Sequence, residues 1–353
     1  MFEYPDCFES LLAAVLQSCG MKRRDFLVGS AALGAATVFG VSGEGSQAPA
    51  QGERQGGPGA PQPAGAGGRG RGRGPAPVPP AKLARVSLMT LNFNPYLRQP
   101  DNATPGPDQT LTPFDLPKMY VETYGVRNIE YQHTTIVQSE KDPAFIKELK
   151  ARLDENNVKM TQINLEFGTV QSISHKDPEG RRQAVEHVKQ WIDISTQYGC
   201  PRVMINQQQM QLTNETRAAA VETMKAMADY GRPKNVKVSA ETRGAGTPEY
   251  VQQIGGVKPW EFMIGVIKDA GAASNVDIGN VGAMNQQELH DCIKGWMPYS
   301  SGNMHIKSSP FWDIGQAVKF TESLGYQGLY SIEVTRHEAV RIVYNTILAN
   351  LGA

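Results

Sequence analysis

The sequence predicts an α/β fold, a single-domain (β/α)8 TIM barrel, on the strength of three observations. From residue 81 onward, short β-branched or apolar runs alternate with longer segments of helical period, as in parallel strands joined by crossover helices. There are eight such runs. About 270 residues for eight repeats matches the roughly 250 typical of this barrel. The predicted strands are residues 85–92, 128–132, 159–165, 202–206, 237–241, 274–277, 303–306 and 329–333.

Helices are predicted between these strands, and several carry recognisable end signals. The pairs Asp177-Pro178 and Thr213-Asn214 are predicted to open their helices. A glycine follows the last turn of five helices, where a left-handed residue is commonly needed; these are Gly125, Gly199, Gly231, Gly271 and Gly325. The predicted helices include residues 143–156, 179–198, 214–230, 260–270, 286–296, 313–324 and 337–351. A doubly wound open sheet is the alternative, but no strand is followed by a Gly-rich phosphate loop.

Composition excludes some classes of partner. The chain has 353 residues, 40% of them hydrophobic, and 35 basic residues balance 35 acidic ones. Because there is no net charge, nucleic acid is not a favoured partner. The four cysteines, at positions 7, 18, 200 and 292, form no pattern typical of a zinc site or a disulfide framework.

The N-terminal region is predicted to be a targeting signal and not part of the folded domain. Arg23 and Arg24 precede an apolar run over residues 26–41, which resembles a twin-arginine signal peptide over residues 21–48. This signal predicts export to the periplasm by the twin-arginine (Tat) machinery, with cleavage after Ala48. An uncleaved membrane anchor is the alternative, although about 16 residues are short for a span. Residues 1–20 precede a natural start at Met21 and are interpreted as a mis-called start.

Residues 49–80 are rich in Gly, Pro and Arg and contain almost no bulky apolar side chains. Such a segment cannot bury enough surface to offset its ordering entropy, so a disordered linker is predicted. Its RGRGRG core is of a type that also binds RNA, but a solvated linker fits better beside an export signal. The barrel domain is then residues 81–353.

Four successive strands of the second half end in residues that bind metals. Glu241, Asp277, His305 and Glu333 lie 36, 28 and 28 residues apart, close to one strand-helix repeat each. In this barrel, functional side chains lie at the carboxyl ends of the strands, so these four are predicted to converge. Three carboxylates and one imidazole suit one divalent cation: Mn²⁺ is the first expectation, and Mg²⁺, Co²⁺ or Zn²⁺ are alternatives.

These residues resemble those of the xylose-isomerase-like barrel family, which includes sugar phosphate isomerases and epimerases and, more distantly, family 2 apurinic endonucleases. The matching pieces are VSAETRG, SNVDIGN, MHIKSS, LYSIEV and GVRNIEYQ, and the resemblance covers residue 81 to the C-terminus. It implies that Glu241, Asp277, His305 and Glu333 hold the metal. It also implies that Glu241 and Glu333 exchange a substrate proton through an enediolate.

The chain departs from the family pattern at two places. Asn280 stands where many members have a histidine, and Lys307-Ser308 stands where many have Lys-Asp. The first departure puts in doubt a substrate contact or a second metal ligand. It also argues against an endonuclease, which needs extra histidines for several metal ions.

Further polar residues lie within a few positions of strand ends and are predicted to bind substrate. Lys307 would hold a substrate oxygen, with a salt bridge to a neighbouring carboxylate as the alternative. For His133, a capping or packing role is the alternative. Trp312 is expected to be a buried anchor rather than a platform for a sugar. The predicted substrate-binding residues are His133, Glu166, Gln207, Arg243, Lys307 and Arg336, and Asn92 is a further candidate on the same rim.

Three function classes remain open at the level of sequence. The first is a metal-dependent sugar isomerase or epimerase of carbohydrate metabolism. The second is a lyase or hydrolase that uses the same metal on an oxidised (keto) glycoside, because an exported enzyme meets free or glycosidic sugars rather than phosphorylated ones. The third is a non-catalytic sugar-binding barrel, which would not need a charged metal site. The sequence leaves open whether the protein is a homo-oligomer.

Overall fold

The computed structural model describes residues 78–98, 105–166, 172–206, 212–241, 248–283, 285–307, 312–335 and 337–352. The predicted signal peptide and most of the predicted linker lie outside these residues. In the described part, no helix has both the length and the hydropathy needed to cross a membrane.

Eight parallel strands form a closed barrel in which each strand pairs with its sequence neighbours and the last pairs with the first. The barrel confirms the predicted fold class. The strands are β1 (Val86–Met89), β2 (Asn128–Gln132), β3 (Lys159–Glu166), β4 (Arg202–Asn206), β5 (Lys237–Glu241), β6 (Ala273–Asp277), β7 (Ser300–Ile306) and β8 (Leu329–Ile332).

At least one α-helix lies between each strand and the next along the chain, as in crossover connections. Within the described residues the α-helices are α1 (Pro80–Leu83), α2 (Leu116–Tyr124), α3 (Pro143–Glu155), α4 (Pro178–Tyr198), α5 (Arg217–Gly231), α6 (Pro248–Gln253), α7 (Pro259–Ala270), α8 (Gln286–Trp296), α9 (Ile314–Ser323) and α10 (Glu338–Asn350). Short 3₁₀ segments follow β1 and β2, over Thr90–Tyr96 and His133–Glu140.

Helix α4 shows how local sequence sets these elements. The Asp177 side chain accepts a hydrogen bond from the backbone N–H of Glu179, and Pro178 occupies the first turn, where its missing N–H costs nothing. The helix ends at Gly199, whose φ of +69° is left-handed. Between these ends, Val188 and Trp191 are among the residues buried on the face that packs on the barrel.

Several local expectations differ from the structure. Strand β1 ends at Met89 instead of residue 92, because the chain turns into a 3₁₀ segment there. Helix α5 begins at Arg217, after Thr216, and not at Asn214. Gly231 is not left-handed, since its φ is −72°. It is constrained for another reason: a Cβ there would collide with the carbonyl oxygen of Val236, so only glycine allows this approach. The left-handed residue of this connection is Asn235, with φ +57°.

The inside of the barrel is polar, in contrast to the apolar layer between strands and helices. Hydrogen bonds cross it between strands that are not neighbours: the Ser87 hydroxyl pairs with the Thr161 hydroxyl, and the Gln162 amide donates to Asn275 Oδ1. All four side chains are buried. Buried polar groups must be satisfied by one another, so this network fixes the strands relative to each other and supports the end of the barrel described next.

Candidate metal centre

The structure brings the four predicted metal ligands together at the carboxyl end of the barrel. Glu241 and Asp277 are the last residues of β5 and β6, His305 is the penultimate residue of β7, and Glu333 directly follows β8. One ligand atom from each residue lies within 4.8 Å of the others, and all four residues are buried. Because neighbouring parallel strands end at the same rim, four consecutive strands can direct their side chains at one point.

The Nδ1 atom of His305 lies at the centre of this cluster. Glu241 Oε1 is 2.9 Å from it and Glu333 Oε2 is 2.6 Å from it. A ring nitrogen carries at most one proton, so it can donate to only one of two acceptors. We assign the hydrogen bond to Glu241 and treat the Glu333 contact as an ion pair. Oxygen and nitrogen atoms bound at about 2.1 Å to one cation lie about 3 Å apart when adjacent, so these spacings suit a shared cation.

Lys307 lies beside the cluster and pairs with two of its members. Its Nζ is 2.7 Å from Asp277 Oδ2 and 2.8 Å from Glu333 Oε1. A Cβ at Gly279 would lie only 2.5 Å from the Cβ of Lys307, so the glycine lets the lysine side chain run past the turn after β6. The other oxygen of the Asp277 carboxylate accepts a hydrogen bond of 2.7 Å from the Gly279 N–H.

Burial and like charge dominate the protonation of the site. Burial first, then the charges of Glu333 and Glu241, raises the pKa of Asp277 to about 7, against the opposing effect of Lys307 and His305. For Glu333, burial acts to raise the pKa, but His305 and Lys307 together lower it to about 2. One carboxyl therefore holds a proton near neutral pH while its neighbour stays ionised.

The pKa of His305 is raised well above its ordinary value. Burial, the largest single effect, lowers it, but the charges of Glu130 and Glu333 and the hydrogen bonds to Glu130 and Glu241 outweigh burial. The pKa of Lys307 is also raised, because the attraction of Asp277 and Glu333 exceeds the effect of its own burial. His305 and Lys307 are therefore both positively charged groups surrounded by carboxylates.

The charges of this cluster do not balance. Four buried carboxylates face at most two cations, Lys307 and a protonated His305. When all four are ionised, the negative charges exceed the positive ones by two, and a proton on Asp277 relieves only one of them. Such an excess in a buried site is costly unless a cation compensates for it. The donor set, three carboxylates and an imidazole nitrogen, therefore fits a divalent cation in both charge and ligand type. The four carboxylates are Glu130, Glu241, Asp277 and Glu333.

Glu130 is the member of this cluster that sequence reasoning missed. It lies in the middle of β2 and is fully buried, and its Oε1 is 2.6 Å from His305 Nε2. The prediction considered strand ends only. A signal was present: a carboxylate in the middle of a strand that is buried on both faces needs a partner.

The remaining predicted residues are placed around the rim or outside the described residues. Glu166, at the end of β3, accepts a 2.6 Å hydrogen bond from Asn206 at the end of β4. The ring of His133 packs edge-on against Trp191, and its Nδ1 accepts a hydrogen bond from the backbone N–H of Glu166. Burial first, and then His187, lowers the pKa of His133 to about 4. Gln207, Arg243 and Arg336 lie outside the described residues, as does Ser308.

Asn92, Asn280 and Trp312 have contacts that bear on the earlier expectations. The side chain of Asn92 donates to the Ile332 carbonyl at 2.8 Å and accepts from the Val334 N–H at 2.7 Å, so it joins the 3₁₀ segment after β1 to the end of β8. The backbone N–H of Asn280 donates to the Asp277 carbonyl in the turn after β6. Trp312 is buried within the hydrophobic core.

Comparisons with known proteins agree with this architecture. The sequence matches the family model described as Xylose isomerase-like TIM barrel over residues 120–346, more than half of the chain, and the chain therefore belongs to this family. A search of curated proteins finds no match.

Solved structures share the fold at low sequence identity. D-psicose 3-epimerase from Clostridium cellulolyticum H10 is 11% identical, with a TM-score of 0.55, and the alignment covers 76% of this chain and 96% of that one. 3-Keto-D-glucoside 4-epimerase from E. coli is 10% identical, with a TM-score of 0.54, and the alignment covers 76% of this chain and 98% of that one. A xylose isomerase-like TIM barrel protein from Mycobacterium smegmatis in complex with magnesium is 17% identical, with a TM-score of 0.52, and the alignment covers 77% of this chain and 99% of that one.

Proposed function

We propose that this member of the xylose isomerase-like family is a divalent-metal-dependent isomerase or epimerase of a small sugar. The observation that carries the proposal is the position of two glutamates. Glu241 comes from β5 and Glu333 follows β8, and both reach the same atom of His305 from either side of β6 and β7. Two carboxylates that flank one site can remove and return a proton.

The cation would be held by the four residues of the candidate metal centre, with Mn²⁺ the first expectation and Mg²⁺, Co²⁺ or Zn²⁺ the alternatives. When bound, it supplies a Lewis acid that polarises the oxygens of a hydroxy-carbonyl group. A magnesium complex in the Mycobacterium smegmatis relative is consistent with a divalent ion in this fold. The residues are Glu241, Asp277, His305 and Glu333.

The chain's own residues would carry out the proton transfer. One glutamate takes the proton from the carbon next to the carbonyl, which leaves an enediolate, and the other returns a proton to that carbon or its neighbour. Lys307, with its ammonium group 2.8 Å from Glu333 Oε1, would hold a substrate oxygen on which negative charge develops. Around them, Glu166 and His133, together with Gln207, Arg243 and Arg336, are proposed to contact the rest of the sugar.

The substrate is proposed to be an unphosphorylated ketose or keto-glycoside, because the N-terminal region resembles an export signal. Expression of the full chain and of a variant with Arg23→Lys and Arg24→Lys tests this part. We expect the parent protein in the periplasmic fraction and the variant in the cytoplasm. Equal distribution of the two proteins would contradict export by the twin-arginine route.

The activity is tested with the full chain, freed of metal and then loaded separately with each of the four cations. Free ketoses and keto-glycosides are incubated in D₂O, and the products are analysed by NMR. We expect a change of isomer ratio with deuterium at the reacting carbon, because the proton is exchanged through a carboxylate. Release of a fragment would indicate a lyase or hydrolase, and saturable binding without turnover would indicate a sugar-binding barrel; either result would contradict the proposal.

A further inference from the structure

Glu130 is the buried carboxylate that neither the proposed ligand set nor the proposed proton transfer uses. Its side chain is fully buried inside the barrel, at the middle of β2. The Oε1 atom is 2.6 Å from His305 Nε2, on the opposite edge of the ring from the atom that faces Glu241 and Glu333. The two residues are 175 positions apart in sequence, so only closure of the barrel brings them together.

The charge of Glu130 is held by donors alone. Side-chain amides donate to it from Gln162 at 2.9 Å, from Asn164 at 2.5 Å and from Asn303 at 3.0 Å. Two of these amides are also tied to Asn275, because Gln162 and Asn303 both donate to its Oδ1. A carboxylate in such a cradle has a fixed position and acts as an acceptor.

A fixed acceptor next to an imidazole determines the orientation of the ring and which of its nitrogens carries a hydrogen. Since Glu130 offers no proton, the 2.6 Å contact requires that His305 Nε2 carry the hydrogen. In a neutral imidazole the other nitrogen then has the lone pair, and here that nitrogen is Nδ1, which lies 2.9 Å from Glu241 and 2.6 Å from Glu333.

We propose that Glu130 is a positioning residue that fixes the ring of His305 with Nδ1 as its metal-binding atom. The inference rests on the proposed function, because it takes the four-residue cluster to be the cation site. Metal-binding histidines commonly donate their second N–H to a carboxylate or carbonyl, and loss of such a partner typically lowers metal affinity about 10- to 100-fold. What the geometry adds for this chain is the identity of the partner and the nitrogen that binds.

The test is a calorimetric titration of Mn²⁺ into metal-free full chain, with Co²⁺ absorption spectra of the same proteins. The variant is Glu130→Gln, which has the same size but turns an N–H group toward a cradle made of donors. We expect Mn²⁺ affinity to fall by about 10- to 100-fold. We also expect the Co²⁺ spectrum to change, because the ring is no longer held in one orientation.

The matched control is Glu322→Gln, a substitution of another largely buried carboxylate at the opposite end of the barrel, where Glu322 pairs with Arg85. It should lower the melting temperature without changing Mn²⁺ affinity or the Co²⁺ spectrum. Wild-type affinity and spectrum in Glu130→Gln would overturn the assignment of Glu130. Failure of the parent protein itself to bind Mn²⁺ or Co²⁺ would instead overturn the proposed function, and with it this inference.

A measurement on the parent protein keeps the proposal testable if Glu130→Gln does not fold. Histidine ¹⁵N NMR of the Zn²⁺-loaded full chain distinguishes the two ring nitrogens of each histidine. We expect one buried histidine with hydrogen on Nε2 and with an Nδ1 resonance that shifts on addition of Zn²⁺. A resonance that shifts at Nε2 instead, with hydrogen on Nδ1, would overturn the proposal.

Discussion

Both ends of the barrel bury charged side chains, but only at the amino end do partners within the protein balance these charges. At the amino end, Arg85 donates to the carbonyl oxygens of Gly328 and Tyr326 and pairs with Glu322. Arg202 donates to the carbonyls of Ser301 and Thr161.

At the carboxyl end, four carboxylates surround one histidine and one lysine, with no comparable match of donors to acceptors. The guanidinium groups at the amino end have all the acceptors they need within the protein. The surplus carboxylates at the carboxyl end need a bound cation to balance their negative charge. The amount of buried charge therefore does not identify a functional site, whereas an imbalance between buried negative and positive charge does.

The largest effect is expected from removal of a carboxylate at the carboxyl end. Glu333→Gln and Glu241→Gln should each lower turnover by about 10²- to 10⁴-fold, the usual contribution of a positioned acid or base. The fold should persist, because each change removes one of several like charges from a buried site. Steady-state kinetics at saturating Mn²⁺ and circular dichroism measure the two properties. Wild-type turnover in both variants would show that the glutamates do not transfer the proton.

A substitution at the amino end should give the reverse result. Arg202→Met leaves the buried carbonyls of Ser301 and Thr161 without this donor, which should reduce the free energy of unfolding by about 2–4 kcal/mol. Turnover and Mn²⁺ affinity of the folded fraction should remain those of the parent. Urea denaturation and calorimetry measure both. A loss of cation affinity as large as the loss of stability would mean that the two ends are not independent.

The carboxyl end should also respond to pH. Binding of a cation displaces the protons of His305, whose pKa is well above its ordinary value, and of Asp277, whose pKa is about 7. Glu333, with a pKa of about 2, contributes no proton in this range. Mn²⁺ affinity should therefore rise with pH. The rise should be steepest below pH 7, where both Asp277 and His305 must lose a proton, and shallower above pH 7, where Asp277 is already ionised.

Isothermal titrations of the metal-free protein between pH 6 and pH 8, in buffers of different ionisation enthalpy, report the number of protons released. Stability of Arg202→Met relative to the parent should not vary over the same range, since arginine stays charged. An Mn²⁺ affinity independent of pH would show that the cation does not compete with protons at this cluster.

The smallest effect is expected from Gly279→Ala. The added methyl group would meet the side chain of Lys307, which must shift and lengthen its contacts with Asp277 and Glu333. We expect a severalfold rise in KM for substrate and a lower melting temperature, because the clash includes the Cβ of Lys307 and not only the flexible end of its side chain. Gly265→Ala is the control, because Gly265 lies in helix α7, away from the strand ends. Equal KM values for the two variants would contradict the proposed role of Lys307 in holding substrate.

Much of the fold could be predicted because a parallel barrel repeats one pattern. Six of the eight strands have the predicted number of residues or differ from it by one, and the bounds of β2, β4 and β5 agree with the prediction. The convergence of the four candidate ligands could also be predicted, because each lies at the end of the strand that follows the strand of the one before. The positions of the strands and of the residues at their ends follow from the repeat alone, so they can be predicted without knowledge of side-chain contacts.

Other features depended on contacts between distant parts of the chain. Glu130 is recognisable as a partner of His305 only when β2 faces β7 across the barrel. Gly231 matched the pattern of a left-handed helix end, but what constrains it is the nearby carbonyl of Val236. Arg202 looks like an ordinary charged residue at the start of a strand until the Ser301 and Thr161 carbonyls are seen to surround it.

The Asn92 side chain, which bonds to backbone groups on both sides of Glu333, has a consequence for the order of folding. The last candidate ligand is held in place by the segment that follows the first strand, so the seam between β1 and β8 must close before all four candidate ligands can meet. Contacts of such high sequence separation form late and slowly. Cation affinity should therefore be the last property recovered during refolding, and the moment at which Mn²⁺ binds would time the closure of the ring.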